Sequence, residues 1–129
     1  KKFIVFVVFL LFTISCASIN LPKPTSDFFV NDFANVINSD DEKKILDMTE
    51  ELYKNSGNST QVVVVTVDSL DGYSIEENSN ELFNSWGIGS KEKNDGVLLL
   101  LSTGDRKSRI EVGYGLEGVL NDAQKVFFH

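Results

Sequence analysis

The sequence predicts an α/β domain, compact and three-layer-like, with a central mixed sheet flanked by helices. Three observations carry this. Two apolar runs, Gln61–Val67 and Val97–Leu101, have strand length and are bounded by turn residues. Runs apolar at nearly every position suit strands that helices cover. A stretch with a helix-start signal and helical spacing of apolar residues precedes each run. A shorter alternating stretch, Ser108–Val112, follows the second run closely and predicts a hairpin with it.

The chain opens with Lys1 and Lys2, then an unbroken apolar run from Phe3 to Phe12, then small residues at Ser15, Cys16, Ala17 and Ser18. A basic start, an apolar middle and a small-residue exit are the parts of a secretory signal. A membrane-spanning helix needs about 20 apolar residues, and this run is shorter, which favours a cleaved signal over an anchor. Two exits stay open. Ser15-Cys16-Ala17 fits a cut after Ala17. Thr13-Ile14-Ser15-Cys16 resembles a lipobox, with Thr where Leu is usual, and would make Cys16 a lipidated N-terminus. The expected organisation is a signal at 1–17, a linker at 18–27 and one domain at 28–129.

Leu21-Pro22-Lys23-Pro24-Thr25 favours extended geometry. Phe28 to Ala34 reads as a docking segment or short turn, with Val36 and Ile37 entering the core. Ser39 with Glu42 reads as a capping box, and Asp40 and Asp41 suit the positive end of a helix dipole. Ile45, Met48 or Thr49, and Leu52 recur at helical spacing, and Gly57 is a stop. Ser74 with Glu77 is a second capping box, opening a helix that ends at Trp86-Gly87. Asn94-Asp95-Gly96 predicts a turn before the second strand. Asn121 with Gln124 is a third helix start. Only about two turns follow it, so the domain is expected to continue beyond His129.

Charge and composition exclude several functions. The formal charge is −7; loss of residues 1–15 removes Lys1 and Lys2 and no acid, giving about −9. So acidic a domain repels nucleic acid and anionic lipid and attracts cations. Cys16 is the only cysteine, so no intrachain disulfide forms. His129 is the only histidine, which leaves Ser-His-Asp and Cys-His catalysis without a base and excludes a His/Cys zinc site. Gly113 to Gly118 lacks the lysine of a phosphate-binding P-loop.

Carboxylates and loop carbonyls remain, and these suit Ca2+ or Mg2+. Asp32, Asp95, Glu117 and Asp122, with carbonyls near Gly115, are the candidate metal ligands. Each competes with a simpler role: an Asx turn for Asp32, the Asn-Asp-Gly turn for Asp95, a helix-dipole partner for Asp122. Asp95 also precedes its strand, which puts it at the edge opposite to the usual ligand side. Arg106 and Arg109 are candidate anion contacts; against this, a hairpin pairs such groups with Glu111 or Asp105. Trp86 reads as core.

Val30-Asn31-Asp32-Phe33-Ala34, Gln61 to Val67, Leu82 to Gly89, Asn94 to Leu100, and Arg106 to Gly118 with Asn121-Asp122-Ala123 resemble, in this order, the TPM domain family. The resemblance spans about residues 28–127. It implies a central sheet flanked by helices in an exported, often membrane-tethered protein. It also implies a C-terminal helical region that this sequence lacks. Acid phosphatase activity is attributed to some plant members, whereas others look like metal-binding modules. The leading expectation is an exported, divalent-cation-binding envelope module for assembly or interaction. Envelope or membrane proteins would be its partners, not nucleic acid. The tether would be Cys16 or a later C-terminal segment. The alternative is a metal-dependent phosphatase acting on phosphomonoesters. A third reading is a plain structural domain of a longer membrane protein.

Overall fold

The computed structural model describes residues 19–118. The N-terminal signal-like segment, Cys16, Asp122 and the third helix start lie outside these residues. Four strands, β1 (Val30–Asp32), β2 (Gln61–Val67), β3 (Gly96–Ser102) and β4 (Lys107–Val112), form one sheet in that order. β1, β2 and β3 are parallel, and β4 returns antiparallel to β3. Helix α1 (Ser39–Asn55) links β1 to β2, and α2 (Ile75–Ser85) links β2 to β3. The α/β class, the mixed sheet and the β3–β4 hairpin agree with the sequence reading.

Local chemistry sets the helix ends. α2 starts as expected: the Ser74 hydroxyl accepts from the Glu77 amide at 3.0 Å. α1 starts one residue earlier than the capping box implied. Asn38 is the cap, its side-chain oxygen accepting from the Asp41 amide at 2.8 Å, and Ser39 is already helical. Asn caps as well as Ser, so adjacent candidates in Asn38-Ser39 are not separable by residue type. Gly57 follows α1 at φ +75°, and Gly87 follows α2 at φ +62°, both in the left-handed region that ends helices.

One face of the sheet carries the core. Val63, Val65, Leu98 and Leu100 are at most 1 % exposed and pack with Leu70, Ile75, Leu82 and Ile88. α2 therefore covers this face. Phe29 packs on the same cluster, and Tyr53 of α1 meets Phe29 with ring centroids 5.6 Å apart. α1 lies on the same face. This follows from the topology, since two successive right-handed crossovers in one direction put both helices on one side. In α1 the inward residue is Thr49, while Met48 is 70 % exposed.

Two sequence expectations need correction near β1. Phe28 to Ala34 is no mere turn, because Val30–Asp32 pairs with Val64–Thr66 as a strand. Val36 is 52 % exposed and not core. The Asp32 carboxylate accepts from the Val36 and Ile37 amides, and this tight turn carries Val36 outward.

The stretch expected as a linker is stitched to the domain from Leu21 onward. Leu21 packs against the core cluster. The Trp86 indole N–H donates to the Pro22 carbonyl at 3.1 Å. The Thr25 amide and hydroxyl donate to the side-chain oxygen of Asn31 at 2.8 and 3.0 Å. Asn31 is fully buried and donates in turn to the Phe28 and Val64 carbonyls. Among the described residues no helix is long and apolar enough to cross a membrane.

Candidate functional site

The polar chemistry of the domain gathers at the two ends of the sheet. At the end where β2 and β3 begin, the turn Asn94-Asp95-Gly96 turns Asp95 inward, and the residue is only 5 % exposed. One oxygen accepts from the Ser90 amide at 3.0 Å and the Ser90 hydroxyl at 3.1 Å. The other accepts from the Ser59 hydroxyl at 2.5 Å and the Thr60 hydroxyl at 3.0 Å. Burial alone would raise the Asp95 pKa. The bonds from Ser59, the Ser90 amide, Thr60 and the Ser90 hydroxyl outweigh it and hold the group down, at about 2.

Glycines let three loops close on this hub. A Cβ on Gly96 would lie 2.4 Å from the Ile88 carbonyl oxygen, and one on Gly113 would lie 2.3 Å from that of Asn94. The Gly113 amide donates to the Gly96 carbonyl, and the Gly115 amide to the Asn94 carbonyl, each at 2.8 Å. A 3₁₀ turn, Tyr114–Leu116, therefore rides on the Asp95 loop, leaving Tyr114 82 % exposed and Glu117 exposed beside it.

At the opposite end, Asp32 closes β1. It accepts from the Thr66 hydroxyl at 2.6 Å as well as from Val36 and Ile37. Burial would raise its pKa, but the Thr66 hydroxyl and the amides of Val36, Ile37 and Asn35 bring it below the ordinary value. Asp105, in the β3–β4 turn, accepts from the Ser102 hydroxyl at 2.7 Å and the Leu70 amide at 2.8 Å. These bonds, with the Lys107 charge, lower its pKa too. The sequence reading passed over Asp105 as an anchor; its place in a Thr-Gly-Asp turn was the available signal.

Asp32 and Asp95 stand at opposite ends of the sheet. Asp32 is level with Thr66, and Asp95 precedes Gly96, which pairs with Gln61. Five strand residues at about 3.3 Å each put them roughly 16 Å apart along the sheet. One ion cannot touch both. Asp95 also spends all its acceptor directions on its own chain, and the hydroxyls around it bring no second carboxylate, where a hard cation takes 6–8 oxygens. Among the described residues no cluster of three or more Asp, Glu, His or Cys could hold a metal ion. Glu117 shares the Asp95 end. Asp122 lies outside the described residues.

Arg109 pairs with Glu111 at 3.1 Å, and Glu111 also accepts from the Ser79 hydroxyl of α2 at 3.0 Å. Arg106 stands at φ +53° at the exposed hairpin tip. The pairing of Arg109 with Glu111 is the simple role its place in a hairpin allowed. Trp86 is half-buried against the core, as expected.

Comparisons with known proteins agree with this architecture. The chain is similar to the N-terminal domain of a Porphyromonas gingivalis protein, solved by NMR, at 30 % identity with a TM-score of 0.63. That match covers 72 % of this chain and 58 % of the other. The N-terminal domain of a Corynebacterium glutamicum protein shares the fold at 19 % identity, with a TM-score of 0.62, over 87 % of this chain and 72 % of the other. The chain thus spans little more than half of the P. gingivalis structure. No curated protein matches it. The family model of the TPM domain matches residues 30–125, from β1 past the Tyr114 turn, and the chain belongs to the TPM domain family.

Proposed function

We propose that this TPM domain is an exported envelope module that works by assembly or interaction, not by hydrolysis. The observation that carries the reading is the occupancy of Asp95. Its carboxylate is filled by four hydrogen bonds from its own chain. Its neighbour Ser59 is 6 % exposed, and its hydroxyl is taken up by Ser90 and Asp95. This is a clamp for three loops, and a hydrolytic site needs a nucleophile within reach of both a base and substrate. The stitched segment from Leu21 supports export: the folded body starts within a few residues of the small-residue exit, as a domain following a signal would.

A divalent cation enters this reading through Glu117 and Asp122, and not through Asp32 or Asp95. Calorimetric titration with calcium tests it. Heat in the unsubstituted chain that vanishes in Glu117→Ala/Asp122→Ala is expected; heat that survives in the double variant refutes this placement.

The interaction reading itself is tested with an aryl phosphate, assayed with and without magnesium or calcium. The expected rate equals that of the buffer. Metal-dependent turnover that disappears on Asp95→Asn would make the domain a phosphatase instead.

A further inference from the structure

The two edges of the sheet are finished differently. β1 is only three residues long, and its two outward carbonyls are taken. The Thr25 hydroxyl donates to that of Val30 at 3.1 Å, and the Asn35 amide to that of Asp32 at 3.2 Å. β4 runs for six residues without proline, in unbroken register with β3. The Gly113 amide donates to the Gly96 carbonyl, one step beyond the pair Val112 and Val97. Antiparallel pairing alternates, so Lys107, Arg109 and Glu111 turn their backbone groups to β3, and Ser108, Ile110 and Val112 turn theirs outward. Among the described residues no bond from another element reaches those outward groups. An edge strand of this kind is a template for another strand.

The side chains of β4 decide which strand fits. Lys107, Arg109 and Glu111 alternate with Ser108, Ile110 and Val112, so one face of the strand is charged and the other is centred on Ile110. Arg109 and Ser79 donate to the same Glu111 oxygen, which leaves the other oxygen without a bond among the described residues. A second copy of β4 brings outward backbone groups together only in antiparallel registers centred on a residue. Centred on Ser108, such a register sets Lys107 against Arg109; centred on Arg109 or Glu111, it sets that residue against itself. Centred on Ile110, it sets each Arg109 opposite the other copy's Glu111, and Ser108 opposite Val112. Opposite charges across strands stabilise a pair and like charges destabilise it. The Ile110 register also joins the outward groups of Ser108, Ile110 and Val112 through about six hydrogen bonds. It extends the row Val64, Leu99, Ile110, which ends at the edge with Ile110 41 % exposed, into the other copy's Ile110.

We propose that β4 is a dimerisation edge, at which two copies of this chain pair β4 with β4, antiparallel and centred on Ile110, into one continuous sheet. The twofold axis stands normal to the sheet, so the helices of both copies lie on the same face. This inference stands independently of the proposed function, because a hydrolase could pair in the same way.

Disulfide trapping in the Cys16→Ser chain tests it. The register puts the two Ile110 Cα atoms about 5.5 Å apart, within disulfide reach. It puts the two Ser108 Cα atoms about 14 Å apart, well outside it. Under mild oxidation Ile110→Cys should therefore give a covalent dimer at least about tenfold faster than Ser108→Cys. Equal rates overturn the proposal. So does faster trapping of Ser108→Cys, which would mean another register, and so does the absence of a covalent dimer, which would leave the edge to a different strand. A mixture of copies covers the case in which Ile110→Cys disturbs folding. Copies with Ser108→Cys and copies with Val112→Cys should form a mixed disulfide at least about tenfold faster than either forms its own; no preference overturns the proposal. Charge gives the last arm. Added to Ile110→Cys, Arg109→Glu should slow trapping about tenfold, and Glu111→Arg on top of it should restore the rate; trapping that ignores both changes overturns the register.

Discussion

The two ends of the sheet use the same chemistry, a carboxylate answered by hydroxyls and amides, to different depth. At the Asp95 end the carboxylate is buried, takes four bonds, and joins segments 35 and 36 residues apart, from Ser59 and Thr60 to the turn before β3. Glycines with no room for a Cβ close the loops around it. At the Asp32 and Asp105 end each acid mainly holds a turn next to itself, with one longer-range bond apiece. Open α/β sheets take ligands at the carboxyl ends of their strands. Here the more completely built polar cluster stands at the amino ends. Depth of satisfaction at the less usual end marks a structural clamp.

The contrast sets an order of sensitivity to substitution. Gly96→Ala should cost the most, on the order of 4 kcal/mol, because its Cβ would strike backbone that cannot move aside cheaply; urea unfolding measures it. Asp95→Ala should cost about 3 kcal/mol, since it strands buried hydroxyls and the Ser90 amide. Asp32→Ala should cost roughly half as much, because its site is half-buried and water can answer the freed donors. If Asp32→Ala proves the more damaging, the ranking of the two ends is reversed. Trp86→Phe removes the bond to Pro22 and should cost about 1 kcal/mol. It should also free residues 19–24 to limited proteolysis. Asn38→Ala should cost about 1 kcal/mol, while Ser39→Ala stays within about 0.5 kcal/mol.

The acid side of the stability profile follows from the same hub. Asp95 titrates at about 2 in the folded chain against an ordinary 3.8. A lowered folded pKa stabilises fully above the ordinary value and is lost as the pH falls through the folded one. Stability should therefore decline between about pH 4 and pH 2. Asp95→Asn should flatten that decline, and circular dichroism against pH reads it out.

Strands β2 and β3, the second helix and the hairpin were legible in the sequence because their signals are local. Val62 to Val65 is β-branched throughout, and Ser74 precedes Glu77 by the spacing of a cap. β1 was not, because three residues between Phe29 and Phe33 carry no periodicity; their strand character comes from pairing with β2, some 34 residues away. The packing of Leu21 and Pro22 was hidden for the same reason, as it depends on Trp86. The acids were legible as turn residues, and Asp32 does hold the turn that its simpler role implied. Whether acids at 32 and 95 meet is a question of which end of which strand each occupies. The position of Asp95 before β3 already pointed to opposite ends.

The central claim is that the Asp95 hub is a clamp made by the chain for itself. Thermal unfolding of the unsubstituted chain and of Asp95→Asn, each in chelator and in millimolar calcium, tests it most directly. The account predicts that Asp95→Asn lowers the midpoint by several degrees and by the same amount in both solutions. A calcium-dependent rise in the unsubstituted chain that Asp95→Asn abolishes would contradict it and make Asp95 a metal ligand.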